Sequence, residues 1–496
     1  MSQSDATSPR REFLKGAAAA AVAPELMAQA AGGAAPRTIA IQVGAVSFID
    51  EGVSQVLDIF QERGAVNAIC LATFTYGRGL AGRQIPGHPF PDHGSQESDE
   101  KTFHGGNYAT PHPQYYANTV LKNTRAPDFG DVDILEMVLP EAKKRGIRVF
   151  CSCEDVFRSS VPGVAECAEI DLYGRKAGSL CLLRPDVRNF WRGLVSDYCN
   201  SYDVDGILFF NERNGPLLNA LGASHSQSIA SSRVTCFCEH HRRAAEQRGI
   251  DFERAREAYV RLDRLVQSSL AGQRPSDGYF VEFWRLLVEY PEIIVWDRLF
   301  DEAKHQVLAE IHDTVKLIRP TLQVGFHIEH VNSFNPIFRA TRRYQDLAKK
   351  ADFLKVVVYN NCGGERYRRF IENVASTVFR DVPRGLLKQF NDRLLNYEQE
   401  AELEELPAKG LSADYVWRET QRALAGVGGQ CRILPGIDVG IPVGAGSRRA
   451  SPEDTYAAVA AALRAGAHGV ILSRKYSEMR LDNLAAAGRA IRESVA

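Results

Sequence analysis

From Arg37 onward, short β-branched runs take turns with amphipathic stretches, and this alternation limits the possible folds more than any other feature of the chain. The candidate strands are Ile39–Gly44, Val66–Ala72, Ile147–Ser152, Gly206–Phe210, Gln323–Phe326, Leu354–Val358, Ile433–Gly436 and Gly469–Leu472. Between them lie helical patterns. Val307, Ile311, Val315 and Ile318 recur at helical spacing before Pro320 ends the segment. Tyr456, Val459 and Leu463 do likewise behind Ser451-Pro452, an N-cap followed by a first-turn proline. Leu481, Leu484 and Ile491 give the last helix its buried stripe. Eight strands alternating with helices predict an α/β chain folded as a (β/α)8 barrel. A doubly wound open sheet is the alternative, but no GxGxxG follows an early strand. The length beyond a minimal barrel falls in residues 74–130, 211–295 and 360–430, all after strand carboxyl ends, where barrel enzymes build their sites.

Residues 203–212 read Asp-Val-Asp-Gly-Ile-Leu-Phe-Phe-Asn-Glu, an apolar run that stops at Asn211-Glu212. Ile207–Phe210 is too short for a stable helix and suits a strand buried on both faces. Glu212 then sits at the barrel mouth, either in a site or at the start of a solvated loop. The other strand ends present Tyr76 and Arg78; Cys153, Glu154 and Asp155; His327 and Glu329; Tyr359 and Asn360; Asp438; and Arg474, Lys475 and Glu478.

Asn-Glu closing the fourth strand of such a barrel resembles clan A glycoside hydrolases. The resemblance implies that Glu212 is the acid/base, Asn211 a sugar-hydroxyl partner and Tyr359 an orienting group for a nucleophile on the seventh strand. Glycoside cleavage needs one protonated carboxyl at the leaving oxygen and one ionised carboxylate at the anomeric carbon, so Glu212 should have a raised pKa. The clan places Glu on the seventh strand, where this chain has Asp438, one methylene shorter. Asp438 is expected as the nucleophile, or as a water-activating base in an inverting variant. Glu329 and Glu478 are the substitutes, and Arg78 and His327 complete the substrate-binding set.

Cys236-Phe237-Cys238-Glu239-His240-His241 precedes a helical run. The segment resembles zinc-containing β-galactosidases of glycoside hydrolase family 42, in which a Cys-x-Cys-x-x-Cys cluster follows the Asn-Glu strand. His241 takes the third position, and Cys153 or Cys151 would complete a closed Cys3His site, with a structural zinc rather than a catalytic one. Two cysteines that merely start a helix are the plainer alternative. His88, His93, His104 and His112 are irregularly spaced and read as loop polar groups, whereas Phe90, Phe103, Tyr108, Tyr115 and Tyr116 suit stacking on sugar faces. Trp284 and Trp296 read as core, and Cys362-Gly363-Gly364 as a tight turn.

Ser8-Pro9-Arg10-Arg11-Glu12-Phe13-Leu14-Lys15, an Ala/Val stretch and Ala28-Gln29-Ala30 resemble a twin-arginine export signal over residues 1–35. That implies handling by the twin-arginine machinery, a periplasmic or secreted location, and one domain spanning 36–496. No later segment has the apolar length of a membrane span. Lys+Arg 60 against Asp+Glu 61 argues against nucleic acid as a partner, and ten cysteines are too sparse for a disulfide scaffold. The expected activity is hydrolysis of a carbohydrate without a catalytic cofactor. An inactive sugar-binding barrel is the second reading, and a metal-dependent barrel enzyme using His327 and Glu329 the third.

Overall fold

The β-branched runs pair as the rungs of one parallel ring. A computed structural model describes residues 36–78, 91–94, 103–225, 229, 232–443 and 447–494; the export-signal segment, His88, Phe90 and the side chains of Arg78 and Phe103 lie outside the described residues. In chain order the strands are β1 Thr38–Gly44, β2 Ala68–Arg78, β3 Phe103–Asn107, β4 Arg148–Glu154, β5 Ala168–Ile170, β6 Lys176–Leu180, β7 Gly206–Phe210, β8 Gln323–Ile328, β9 Phe353–Val356, β10 Arg432–Ile433, β11 Gly436–Asp438 and β12 Gly469–Ser473. Around the ring the order is β1, β2, β4, β7, β8, β9, then β10 with β11, then β12, which pairs back on β1.

Pro435, which has no N–H to give, splits the seventh rung into β10 and β11. The ladder continues across the break. Leu434 N–H donates to Leu354 O at 2.9 Å, Val358 N–H to Gly436 O at 3.2 Å, and Ile471 N–H to Pro435 O at 2.9 Å. The expected (β/α)8 architecture is therefore the observed one. No sequence pattern announced β3, which runs antiparallel on β2, or the β5–β6 pair. At β3 the glycines are obligatory, since a Cβ on Gly105 (φ +111°) would lie 2.1 Å from Thr75 O.

Alternation along each strand sorts the side chains into two sets. The outward set, including Ile41, Val43, Ile69 and Val149, packs beneath the helices in the main core. The inward set fills the lower barrel with Ala40, Cys70, Phe150, Leu208, Phe353 and Ile471. Gly325 belongs to this layer because a Cβ there would lie 2.2 Å from the Phe353 ring. Steps of two toward the carboxyl ends bring Gln42, Glu154, Glu212, His327, Lys355 and Lys475 to the mouth. One pattern thus supplies both an apolar floor and a polar ring above it.

The helices follow their sequence signals. Helix Glu292–Ile318 buries Val307, Ile311 and Val315, and helix Pro452–Arg464 starts with a capping box between Ser451 and Asp454. Two expectations need correction. Trp284 is 59% exposed on helix Tyr279–Glu289, although Trp296 is core. Cys362-Gly363-Gly364 opens helix Asn361–Ala375 instead of making a turn, and Gly364 is needed because its Cβ would lie 2.0 Å from Leu406 O.

Candidate active site

The polar ring opens into a cavity of about 950 Å³ over the strand carboxyl ends. Glu212, two residues beyond Phe210, reaches into it with 65% of its side chain accessible to solvent. His327, level with Phe210 on β8, lies with Nε2 2.6 Å from Glu212 Oε1 and its ring centroid 4.6 Å from that of Phe210. On the other side of this ring, Lys355 Nζ sits 3.4 Å from His327 Nδ1 and donates to Gln42 Oε1 at 2.7 Å and Tyr359 Oη at 2.9 Å. An ammonium donating to Nδ1 leaves the imidazole proton on Nε2, aimed at Glu212. Gly436 makes room for this arrangement: a Cβ there would lie 2.9 Å from Lys355 Cε and 3.2 Å from Tyr359.

These contacts fix charge states. Desolvation alone would raise the Glu212 pKa, but the His327 hydrogen bond and the electrostatic pull of the surrounding donors, the Arg366 guanidinium among them, outweigh it and hold the group below the usual carboxylate range. Desolvation and the adjacent Lys355 hold His327 below its ordinary pKa, so it is a neutral donor. Burial brings Lys355 down to about 7 and His225 to about 3. Glu212 is thus an ionised carboxylate at neutral pH, against the raised pKa expected of a proton donor.

Glu154 is the other carboxylate on the cavity wall that has no ion-pair contact among the described residues. It ends β4, the strand beside β7, and its Oε2 accepts from Thr75 Oγ1 at 2.7 Å. Lys475 Nζ reaches the same hydroxyl at 3.4 Å.

Of the substrate-binding set, His327, Tyr359 and Glu329 line the cavity with Glu212. Glu329 is neutralised from behind by Lys304 and by Arg342. Asn211 is buried and donates to Asp155 Oδ2 at 2.8 Å, so it braces the strand end instead of facing a sugar. Glu478 is buried against Arg474, off the cavity wall. Asp438 departs furthest from expectation. Its side chain is fully buried, and its carboxylate accepts from Cys362 N–H at 2.9 Å, Gly440 N–H at 2.9 Å and Ile441 N–H at 2.8 Å. It pins the turn after β11 to the helix that follows β9, and neither oxygen is spare.

The segment after β2 also differs. Tyr108 donates to Asp128 at 3.0 Å and Tyr116 to Asp197 at 3.1 Å, while His104 and His112 bond the same two aspartates. His93 spans Glu51 and Met479 O. These rings fasten a strap against the barrel instead of presenting faces to sugars, and Tyr76, Phe210 and Tyr359 are the aromatics on the cavity wall.

Cys236, Cys238 and His241 converge as expected, but the fourth member is Cys181. Cys153 stays in the core between the strands and the helices, its thiol 4.0 Å from Cys151 O. The four ligand atoms lie within 4.8 Å of one another, with Cys181 Sγ 3.4 Å from Cys238 Sγ and His241 Nδ1 3.5 Å from each of those sulfurs. Such separations suit a tetrahedral ion with bonds of about 2.3 Å to sulfur and 2.0 Å to nitrogen. The cluster joins the loop after β6 to the start of helix Glu239–Glu246, and the adjoining Arg233 and Thr235 form part of the cavity wall.

No family model matches the sequence, and no curated protein matches it. Solved structures of similar fold are glycoside hydrolases. The β-galactosidase of the Antarctic haloarchaeon Halorubrum lacusprofundi superposes with a TM-score of 0.51 at 12% identity, covering 92% of this chain and 58% of that one. Alpha-L-fucosidase isoenzyme 2 from Paenibacillus thiaminolyticus gives 0.49 at 13%, covering 93% and 49%. The PgaB (BpsB) glycoside hydrolase domain from Bordetella bronchiseptica gives 0.47 at 12%, covering 92% and 98%. The chain spans about half the length of the first two proteins. At these identities the likeness concerns the fold: a closed parallel barrel of the kind glycoside hydrolases use.

Proposed function

We propose that this chain hydrolyses glycosidic bonds, with Glu212 and Glu154 as the working carboxylates. The carrying observation is the Lys355–His327–Glu212 relay, which holds one carboxylate ionised at the bottom of an open cavity. Glu212 then serves at the anomeric carbon, directly or through water, and Glu154 on the adjacent strand donates the proton to the leaving oxygen. This reverses the role that the clan resemblance gave Glu212, because a donor must hold a proton and the His327 contact favours losing it. The Asp438 assignment is replaced for a simpler reason: its oxygens are engaged by backbone.

Glu212→Gln and Glu154→Gln should each lower turnover of glycosides with poor, alkyl-type leaving groups more than 10³-fold while leaving the thermal midpoint in place. Unchanged turnover in either variant would reject its role. A carbohydrate substrate is part of this reading, and so is export, which rests on the residues 8–15 resemblance. Arg10→Lys with Arg11→Lys should retain a fused reporter inside the cell.

The Cys181, Cys236, Cys238 and His241 set fits a structural zinc. All four positions would be filled by protein, so the ion would hold down the cavity wall and not enter the reaction. One equivalent of zinc per chain, lost in Cys181→Ser with a lowered melting temperature, would support it. Purified protein free of zinc with an unchanged midpoint after chelation would oppose it.

A further inference from the structure

Neutralisation of the cavity's cations is uneven. Arg213 contacts Asp155 and Glu169, Arg233 contacts Asp171, Arg369 contacts Glu365, and Arg474 contacts Glu478. Lys475 and Arg366 line the same cavity, yet neither has a carboxylate within 4.0 Å among the described residues. Lys475 is only 7% exposed, and its ammonium has the long Thr75 contact as its hydrogen bond. Arg366 donates to His330 Nδ1 at 3.2 Å, lies 5.6 Å over the Tyr359 ring and lines the cavity. Cations withdrawn from water are ordinarily paired, and a guanidinium with free N–H groups presents a fork shaped for an anion.

The cavity's own acids do not absorb these charges. Neither Glu154 nor Glu212 lies within ion-pair distance of Lys475 or Arg366, and Lys355 is committed to Gln42, His327 and Tyr359. Sugar hydroxyls could satisfy the donors but would leave the charge uncompensated. We propose that the substrate is an anionic sugar, bearing a carboxylate as in a hexuronic acid or a sulfate ester, and that Lys475 and Arg366 receive that group. The inference rests on the glycosidase reading for the word substrate, but anion recognition can be tested without turnover.

Calorimetric binding of glucuronate and galacturonate, of glucose and galactose 6-sulfates, and of the two neutral sugars should be compared in wild type, Lys475→Met, Lys475→Arg and Arg366→Met. Each variant is first checked for a native circular dichroism spectrum. At least one anion should bind 10-fold or more tighter than its neutral parent; the preference should vanish in the methionine variants and persist in Lys475→Arg. The carboxylate and sulfate arms identify which anion is meant. Equal binding of neutral and anionic sugars, a preference that survives both methionine variants, or no binding of any probe would each overturn the proposal. If the anion preference holds but Glu212→Gln and Glu154→Gln leave turnover intact, the hydrolase reading fails and the recognition stands.

Discussion

Five of the acidic residues at strand ends or in the turns beyond them divide into two groups. Glu329, Glu478 and Asp438 are enclosed by Lys304 and Arg342, by Arg474, and by three backbone N–H groups. Glu212 and Glu154 face open volume and, among the described residues, bond to His327 and the Thr75 hydroxyl. The residue type and topological position are shared, yet the environments assign different work. A carboxylate whose lone pairs are all used on protein holds the barrel together. One that keeps lone pairs free and faces open volume is available for chemistry.

The comparison breaks most visibly at Glu212. Glu212→Gln should lose more than 10³-fold in turnover with no loss of stability, because the amide still fits an accessible position. Glu329→Gln should show the opposite pattern. It leaves Lys304 buried without its partner and should cost about 3–5 kcal/mol in denaturant unfolding, while turnover per folded molecule stays within about 10-fold of wild type. Asp438→Asn should behave similarly at about 2 kcal/mol, since an amide can accept fewer of the three N–H bonds. Loss of activity in a fully folded Asp438→Asn protein would dissolve the distinction.

Smaller effects sharpen it. Burial lowers Lys355 from 10.5 to about 7, so between those values the unfolded chain holds a proton that the native state has released. This contribution to stability therefore rises with pH across that window, by up to ~1.4 kcal/mol per unit. Lys355→Met removes it, and its stability relative to wild type should be greatest near pH 7 and shrink toward pH 10; a difference flat with pH would mean that Lys355 is not desolvated as described. His327→Gln weakens what holds Glu212 ionised, so the acid limb of the pH–rate profile should move to higher pH. An unmoved limb would assign that limb to another group.

Much of this was legible in the chain. The alternation gave ring order and rung positions, and the abrupt end of Ile207–Phe210 marked Glu212. Lys355 could have been found as the single cation within Phe353-Leu354-Lys355-Val356, a strand otherwise apolar. Other features depended on contacts that no local pattern carries. Glu154 gains its role from the neighbouring β7, and Cys181 reaches Cys238 across 57 positions because β6 folds back on β5. Asp438 has the right type, strand and parity, and loses its assignment only to the turn that closes over it.

The proposed hydrolysis requires that one of the two mouth carboxylates bear charge and the other bear the proton. Leaving-group dependence tests this directly, because a dinitrophenolate departs without protonation whereas an alkyl-type leaving group does not. Paired aryl glycosides differing only in that group should be hydrolysed by wild type, Glu154→Gln and Glu212→Gln. Glu154→Gln should lose more than 10³-fold on the poor leaving group and less than about 10-fold on dinitrophenolate, whereas Glu212→Gln should lose heavily on both. The reverse pattern, with Glu212→Gln rescued by the good leaving group, would make Glu212 the proton donor and contradict the account.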